Sequence, residues 1–248
     1  MRLIVFPILI CLLVFSSGAQ ISPAVAGNMK FAFEDIRDQF TKKTGYTVTP
    51  VYGSSGKLVN QIRNGAPFDL FISADIGFAD SVVASALNVG KPKIYAYGKL
   101  VLWTCKPIDL KKGVEVLTEP SVKTIALADF KLTVYGPAAK KYIEDNGIWK
   151  AVENKVVFGE NITKVAQFIA SGSADIGFTA KSLVLADEMK GKGVWVEIDS
   201  TKYDPLPQAA VMLTFGEKHN QKITQELFAF LFSNEAQEIL MKYGYKLP

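Results

Sequence analysis

Apolar positions along the chain alternate between two periods. Met29, Phe33, Ile36 and Phe40 recur at helical spacing and stop before Gly45, the mark of a helix with one buried face. Leu58, Val59 and Ile62 repeat that spacing between a Gly53-Ser54-Ser55-Gly56 turn and Asn64-Gly65. Around these helices lie short apolar runs at Ala24–Ala26, 47–51 and 68–73. The last is apolar enough to be buried on both faces, as strands of a parallel sheet are. An order of strand, helix, strand, helix, strand predicts a parallel sheet flanked by helices.

The same grammar resumes further along. Tyr95, Tyr97 and Gly98 lead into an apolar strand that ends near Thr104. Strands are then expected at 124–127, 155–158, 176–179 and 194–198, with helices at 137–146 and 162–171. Asp204-Pro205-Leu206-Pro207 interrupts the pattern. After it come a strand from Ala209 and a terminal helical pair carrying Ile223, Leu227, Phe230 and Leu231, then Ile239 and Leu240. No clear sequence repeat accompanies this architecture. The pattern predicts an α/β chain in two lobes, each a mainly parallel sheet flanked by helices. Residues 20–98 with 206–248 would form lobe 1, and residues 99–205 lobe 2. Crossings near 95–104 and 204–210 would join the lobes and leave a cleft, the place where open α/β sheets bind ligands.

Residues 1–19 follow neither period. Arg2, an unbroken apolar run at 3–15 and the small residues Ser17-Gly18-Ala19 predict a secretory signal peptide cleaved after Ala19. The run is too short to cross a bilayer comfortably, so the mature protein is expected to be soluble outside the cytoplasmic membrane. Cys11 would leave with the signal. Cys105, in LVLWTCK, is then expected to be a lone buried thiol. The 248 residues, 49% hydrophobic and 21% charged, are ordinary for a soluble protein with ample core. A net charge of +4, without a Lys/Arg cluster, gives no sign of a nucleic-acid partner.

Candidate chemistry lies at helix starts. A helix that opens on small polar residues presents unpaired backbone N–H groups, an uncharged cradle for an anion. Asn28, Ser54 with Ser55, and Asn161 with Ile162 stand at such starts. Each has a plainer reading. Ser54, Ser55 and Asn28 would serve equally as caps, and Tyr135, before Gly136-Pro137, as a packing residue at a turn. Ile162 would bury its side chain in either case. Asp69 and Asp75 flank a strand and are expected to cap or solvate loop ends. Nothing pairs them with His or Cys at ligand spacing, so no side-chain metal site is expected. A serine hydrolase using Ser55 lacks G-x-S-x-G and would need the single histidine, His219, brought to that serine. The chain is therefore read as a binder rather than an enzyme.

Five segments, in order, resemble the periplasmic molybdate-binding proteins of bacterial ABC importers. They are AVAGNMKFAFEDI, GSSGKLVNQIRNGAPFDLFISAD, LTVYGPAAKKYIEDNGIW, GENITKVAQFIASGSADIGFTAKS and EAQEILMKYGY. The resemblance implies a two-lobed periplasmic-binding-protein-like fold of the class II type. It implies a monomeric receptor, without a cofactor, that captures molybdate and tungstate and delivers them to a membrane permease. Carried over by position, Asn28 makes the first oxyanion contact, Ser55 the second and Tyr135 the third, with Ser54 a possible addition. Ile162 contributes its backbone N–H. Some members place a tyrosine where this chain reads Phe178-Thr179-Ala180; Ala180 has no hydroxyl, and Tyr135 would substitute from across the cleft. None of these positions is acidic, which suits a fully ionised oxyanion. A carboxylate acceptor would instead favour a protonated one such as phosphate. Sulfate would have to be rejected by cavity size, and a receptor for sulfate, phosphate or another small anion is the alternative.

Overall fold

The computed structural model describes residues 20–248, so the expected signal peptide lies outside the described residues. Strands β1 (Gln20–Ile21) and β3 (Thr47–Val48) make a small parallel pair. Strands β2 (Ala24–Ala26), β4 (Val51–Gly53), β5 (Leu70–Ile72) and β6 (Asn88–Tyr97) belong to the first large sheet. The second holds β7 (Leu100–Thr104), β8 (Ile125–Ala128), β9 (Val156–Gly159), β10 (Ile176–Ala180) and β11 (Val194–Glu197). The chain then returns to the first sheet as β12 (Pro207–Leu213).

Both sheets follow one plan. In the first, of order β4-β2-β5-β12-β6, the first three strands are parallel and β12 runs against both its neighbours. In the second, β9, β8 and β10 are parallel, and β7 runs against β10 and β11. The reversed strand in each lobe is the one that has just crossed from the other. Every other strand in a sheet points the same way, which makes the sheets mainly parallel with one exception apiece.

Asp69 and Asp175 occupy matching places, each just before the third parallel strand. Asp69 is buried and accepts from Ser22 N at 2.6 Å and Asn220 Nδ2 at 2.8 Å. Asp175 accepts from the backbone of Lys123 and Thr124, at 2.6 and 2.8 Å, and pairs with Lys106. Each carboxylate satisfies N–H groups just before the neighbouring strand. Asp69 is thus not a solvated loop end. Asp75 does cap, accepting from Gly77 N and Phe78 N at the start of α3 (Ile76–Val83).

Helix α1 (Lys30–Thr44) buries Phe33, Ile36 and Phe40 and ends at Gly45, whose φ of 76° forms a left-handed cap. Helix α2 (Ser55–Arg63) buries Leu58, Val59 and Ile62. Helices α4 (Tyr135–Asp145), α5 (Trp149–Val152), α6 (Ile162–Ala170) and α7 (Lys181–Val184) belong to the stretch that builds the second sheet. Helices α8 (Thr214–His219), α9 (Gln221–Phe230) and α10 (Asn234–Lys242) close the chain. Helix α4 begins before the expected Pro137, because proline fits a first turn, where its missing N–H costs nothing. The crossing expected near 95–104 joins two strands of different sheets, β6 and β7, divided at Gly98-Lys99. Cys105 is half-buried rather than buried, packed at the edge of the second lobe's core.

Candidate functional site

The carboxyl ends of four parallel strands meet at one place between the lobes. In the first lobe β2 runs out at Ala26 into a turn of 3-10 helix, Gly27–Met29, and β4 runs out at Gly53 into α2. In the second lobe β8 leads to α4 and β9 to α6. The cavity they enclose measures about 10 Å³ and is lined from the first lobe by Ala26, Gly27, Asn28, Gly53, Ser54, Ser55 and Ala74. Thr133, Tyr135, Asn161 and Ile162 line it from the second. All five sequence-predicted positions are therefore brought together, and all are buried. No carboxylate and no cation is among the lining residues.

Ser55 opens α2, and its Oγ accepts from Ala74 N at 3.1 Å and lies 3.3 Å from Ser73 Oγ. Ser54 occupies the N-cap position without a side-chain capping bond. Its buried hydroxyl has no partner among the described residues, so the capping explanation fails for Ser54. A buried hydroxyl left in this way costs about 1–3 kcal/mol, an expense that a bound acceptor would relieve. Gly56 N donates to Leu132 O at 3.1 Å, across the cleft. A Cβ on Gly56 would stand 3.0 Å from Leu132 Cα, so a larger residue here would push the lobes apart by a few tenths of an ångström.

Asn28 is tied inward. Its Nδ2 donates to Gln208 Oε1 at 2.8 Å and to Tyr245 OH at 2.9 Å, which uses both amide protons. Its Oδ1 is buried and unpartnered among the described residues. The backbone oxygen of Asn28 accepts from Ser182 Oγ at 2.7 Å, another bond across the cleft.

Tyr135 is the first residue of α4. Its hydroxyl oxygen accepts from Gln208 Nε2 at 3.0 Å. Burial, reinforced by Tyr245, pushes its pKa well up, so it remains a neutral phenol with a proton to give. The following glycine is obligatory, since a Cβ on Gly136 would fall 2.2 Å from Ala128 O. Asn161 caps α6 by accepting from Lys164 N at 2.9 Å, leaving the N–H of Ile162 outside the cap while its side chain enters the core. Thr163 Oγ1 then donates to Gly27 O at 3.0 Å, again between lobes. Ala180, at the end of β10, is not among the lining residues.

Sequence reasoning missed Gln208, which is fully buried on β12 and touches Asn28, Tyr95 and Tyr135. A polar amide within the apolar run PQAAVML was the available signal. It also missed Tyr245, whose hydroxyl donates to Asn28 O at 2.9 Å. His219, which a hydrolase would need, stacks on Phe215 at 4.4 Å between ring centroids and does not line the cavity. Among the described residues no group of three or more His, Cys, Asp or Glu side chains is placed to hold a metal ion.

Comparison with known proteins follows the same line. Residues 21–246 match the family model described as bacterial extracellular solute-binding protein. The molybdate-binding protein ModA of Azotobacter vinelandii is 35% identical over 234 residues, 94% of this chain and 92% of the relative. That of Rhodobacter capsulatus is 36% identical, covering 93% of this chain and 89% of the relative. The solved periplasmic molybdate-binding protein of Azotobacter vinelandii superposes with a TM-score of 0.84 at 28% identity, over 92% of this chain and 99% of that one.

Proposed function

The chain belongs to the bacterial extracellular solute-binding protein family, and on that premise we propose that it is the receptor that captures molybdate for an ABC import permease. The observation that carries this reading is the cavity itself. Backbone segments from both lobes begin there, hydroxyls and N–H groups line it, and no carboxylate enters it. Molybdate is a tetrahedral dianion with four acceptor oxygens and no proton at neutral pH. Such an ion needs donors only, and helix starts add partial positive charge without a mobile counter-ion.

The proposed ligands are Ser55 through its hydroxyl, Tyr135 through its phenol, Ile162 through its backbone N–H, and Asn28. Because both amide protons of Asn28 are engaged, its contribution runs through the backbone N–H at the start of its turn. Ser54 adds the hydroxyl that has no other partner. Tungstate, almost the same size and charge, is bound as well, while sulfate is rejected because it is too small to reach donors on both sides.

We assign residues 20–98 and 206–248 to one rigid lobe and 99–205 to the other. The crossings are held by Gly98 N donating to Leu206 O at 2.9 Å and by Tyr97 pairing with Lys246. A cavity of about 10 Å³ has room for roughly one water molecule. An oxyanion therefore enters only when the lobes part, and it favours closure because it bonds to both. The exposed Lys57–Glu160 pair, 2.7 Å apart across the rim, adds at most about 1 kcal/mol to closure. The protein works in the periplasm as a monomer, exported by the segment 1–19 and docking on its permease when closed. Calorimetric titration with molybdate, tungstate, sulfate and phosphate tests the reading. Molybdate and tungstate should each bind at one site, and failure of both to bind would refute it.

A further inference from the structure

Gln208 lies one layer behind the cavity and does not line it, yet it joins candidate ligands of both lobes. Its Oε1 accepts from Asn28 Nδ2 at 2.8 Å and lies 2.9 Å from Tyr95 OH, whose single proton also faces Ser73 O at 3.1 Å. Its Nε2 donates to Tyr135 OH at 3.0 Å. A primary amide accepts at one end and donates at the other. Tyr245 gives its own proton to Asn28 O and so accepts from Asn28 Nδ2, which orients that amide to donate to Oε1 and commits Nε2 to Tyr135. The phenol oxygen that accepts this bond keeps its own proton for a different acceptor, and none among the described residues takes it. Gly98 closes the pair from the hinge side. A Cβ there would fall 2.3 Å from Gln208 Nε2 and 2.4 Å from Tyr135 OH, so bare backbone fills the space that a reorienting water would need.

We propose that Gln208 is a positioning residue that fixes the proton polarity of the site, holding Tyr135 as a donor so that fully ionised dianions are selected over oxyanions that carry a proton. This rests on the cavity being an oxyanion site. Near neutral pH phosphate retains a proton and must find an acceptor for it. A Tyr135 oxygen already occupied by Nε2 gives none on its side of the cavity, and there the two protons would face each other. Size alone explains rejection of sulfate; this polarity adds a filter against phosphate and arsenate.

Two variants separate the possibilities. Gln208→Glu offers an acceptor at both ends, so Tyr135 donates backwards and turns its lone pairs to the cavity. Gln208→Met keeps the length of the side chain, adds no charge and leaves the phenol free to turn. Affinities for molybdate and for phosphate, taken by calorimetry with competition for the weaker ligand between pH 6 and 8, give the ratio that matters. Gln208→Glu should weaken molybdate by about 100-fold, the loss of a charge-assisted donor, and reduce the molybdate-to-phosphate ratio at least as far. Gln208→Met should lower molybdate affinity and the ratio by about ten-fold each. It decides the matter if the glutamate variant does not fold. Equal weakening of both anions, leaving the ratio unchanged, would reduce Gln208 to packing and overturn the proposal, as would wild-type binding in both variants. Absence of molybdate binding by the unaltered protein would instead overturn the oxyanion reading on which the proposal stands.

Discussion

Gly56→Ala should stabilise the ligand-free protein and weaken its ligand. Gly56 is the second residue of α2, and alanine in a helix is favoured over glycine by about 0.5–1 kcal/mol. With the lobes apart nothing opposes that gain. With the lobes together the new Cβ lies 3.0 Å from Leu132 Cα and 3.3 Å from Leu132 O. Leu132 Cδ2, 3.2 Å away, can turn aside, but Cα and O are backbone and cannot yield by a side-chain rotation. Relief requires the lobes to stay apart by a few tenths of an ångström, which stretches the 3.1 Å bond from Gly56 N to Leu132 O. Losing that bond costs about 0.5–1.5 kcal/mol, and a similar sum for crowding brings the closed state to about 1–3 kcal/mol less favourable. Affinity should drop by roughly 5- to 150-fold, since this energy is charged only to the bound, closed form. Differential scanning calorimetry of the free protein and calorimetric titration with molybdate measure the two effects separately. A lower melting temperature with unchanged affinity would refute the reasoning, because it would mean that Gly56 meets Leu132 in the open and closed forms alike.

Other substitutions probe different parts of the site. Ser55→Ala and Tyr135→Phe should each weaken molybdate by about 1–3 kcal/mol in titration calorimetry, the loss expected for a buried donor to a charge if the proposed contacts hold. Gly136→Ala should destabilise the second lobe by more than about 2 kcal/mol in urea unfolding, since its Cβ would sit 2.2 Å from a backbone oxygen. Acid should remove the contribution of Asp175, whose pKa is about 2 against an ordinary 3.8. Burial raises it, but the bonds from Lys106, Lys123 and Thr124 outweigh burial. A depressed folded pKa adds stability above about pH 4, and that stability is lost as pH falls towards 2. Lys106 is 42% exposed, so screening limits the amount to about 1–2 kcal/mol. Asp175→Asn should flatten the acid limb of a stability-against-pH curve.

What could be read from sequence was what local period and local chemistry determine. Phe33, Ile36 and Phe40 share one buried face because their spacing allows no other, and Gly45 ends their helix in a conformation that glycine adopts freely. Helix starts at Ser55 and Ile162 were visible as small or polar residues before apolar repeats. What stayed hidden depends on partners distant in the chain. Asp69 looks like a loop residue until Ser22 and Asn220 are folded against it. Ser54 has the chemistry of a cap, but its helix start faces a cavity and its hydroxyl is left without a partner. The long strand β6 before Gly98 was hidden because NVGKPKIYAY lacks a long apolar run and is paired within its sheet only by the distant β12. Gln208 was obscured in turn, lying in an apolar strand with partners in three other segments.

The central claim is that the buried cavity between the lobes accepts a fully ionised tetrahedral oxyanion. Titration calorimetry of the chain from Gln20 onward with molybdate tests it most directly, with tungstate, sulfate and phosphate run under the same conditions. The account predicts saturable binding of one molybdate or one tungstate per chain, a raised melting temperature with each, and no comparable response to phosphate. Phosphate binding as tight as molybdate, or no binding of molybdate at all, would contradict it.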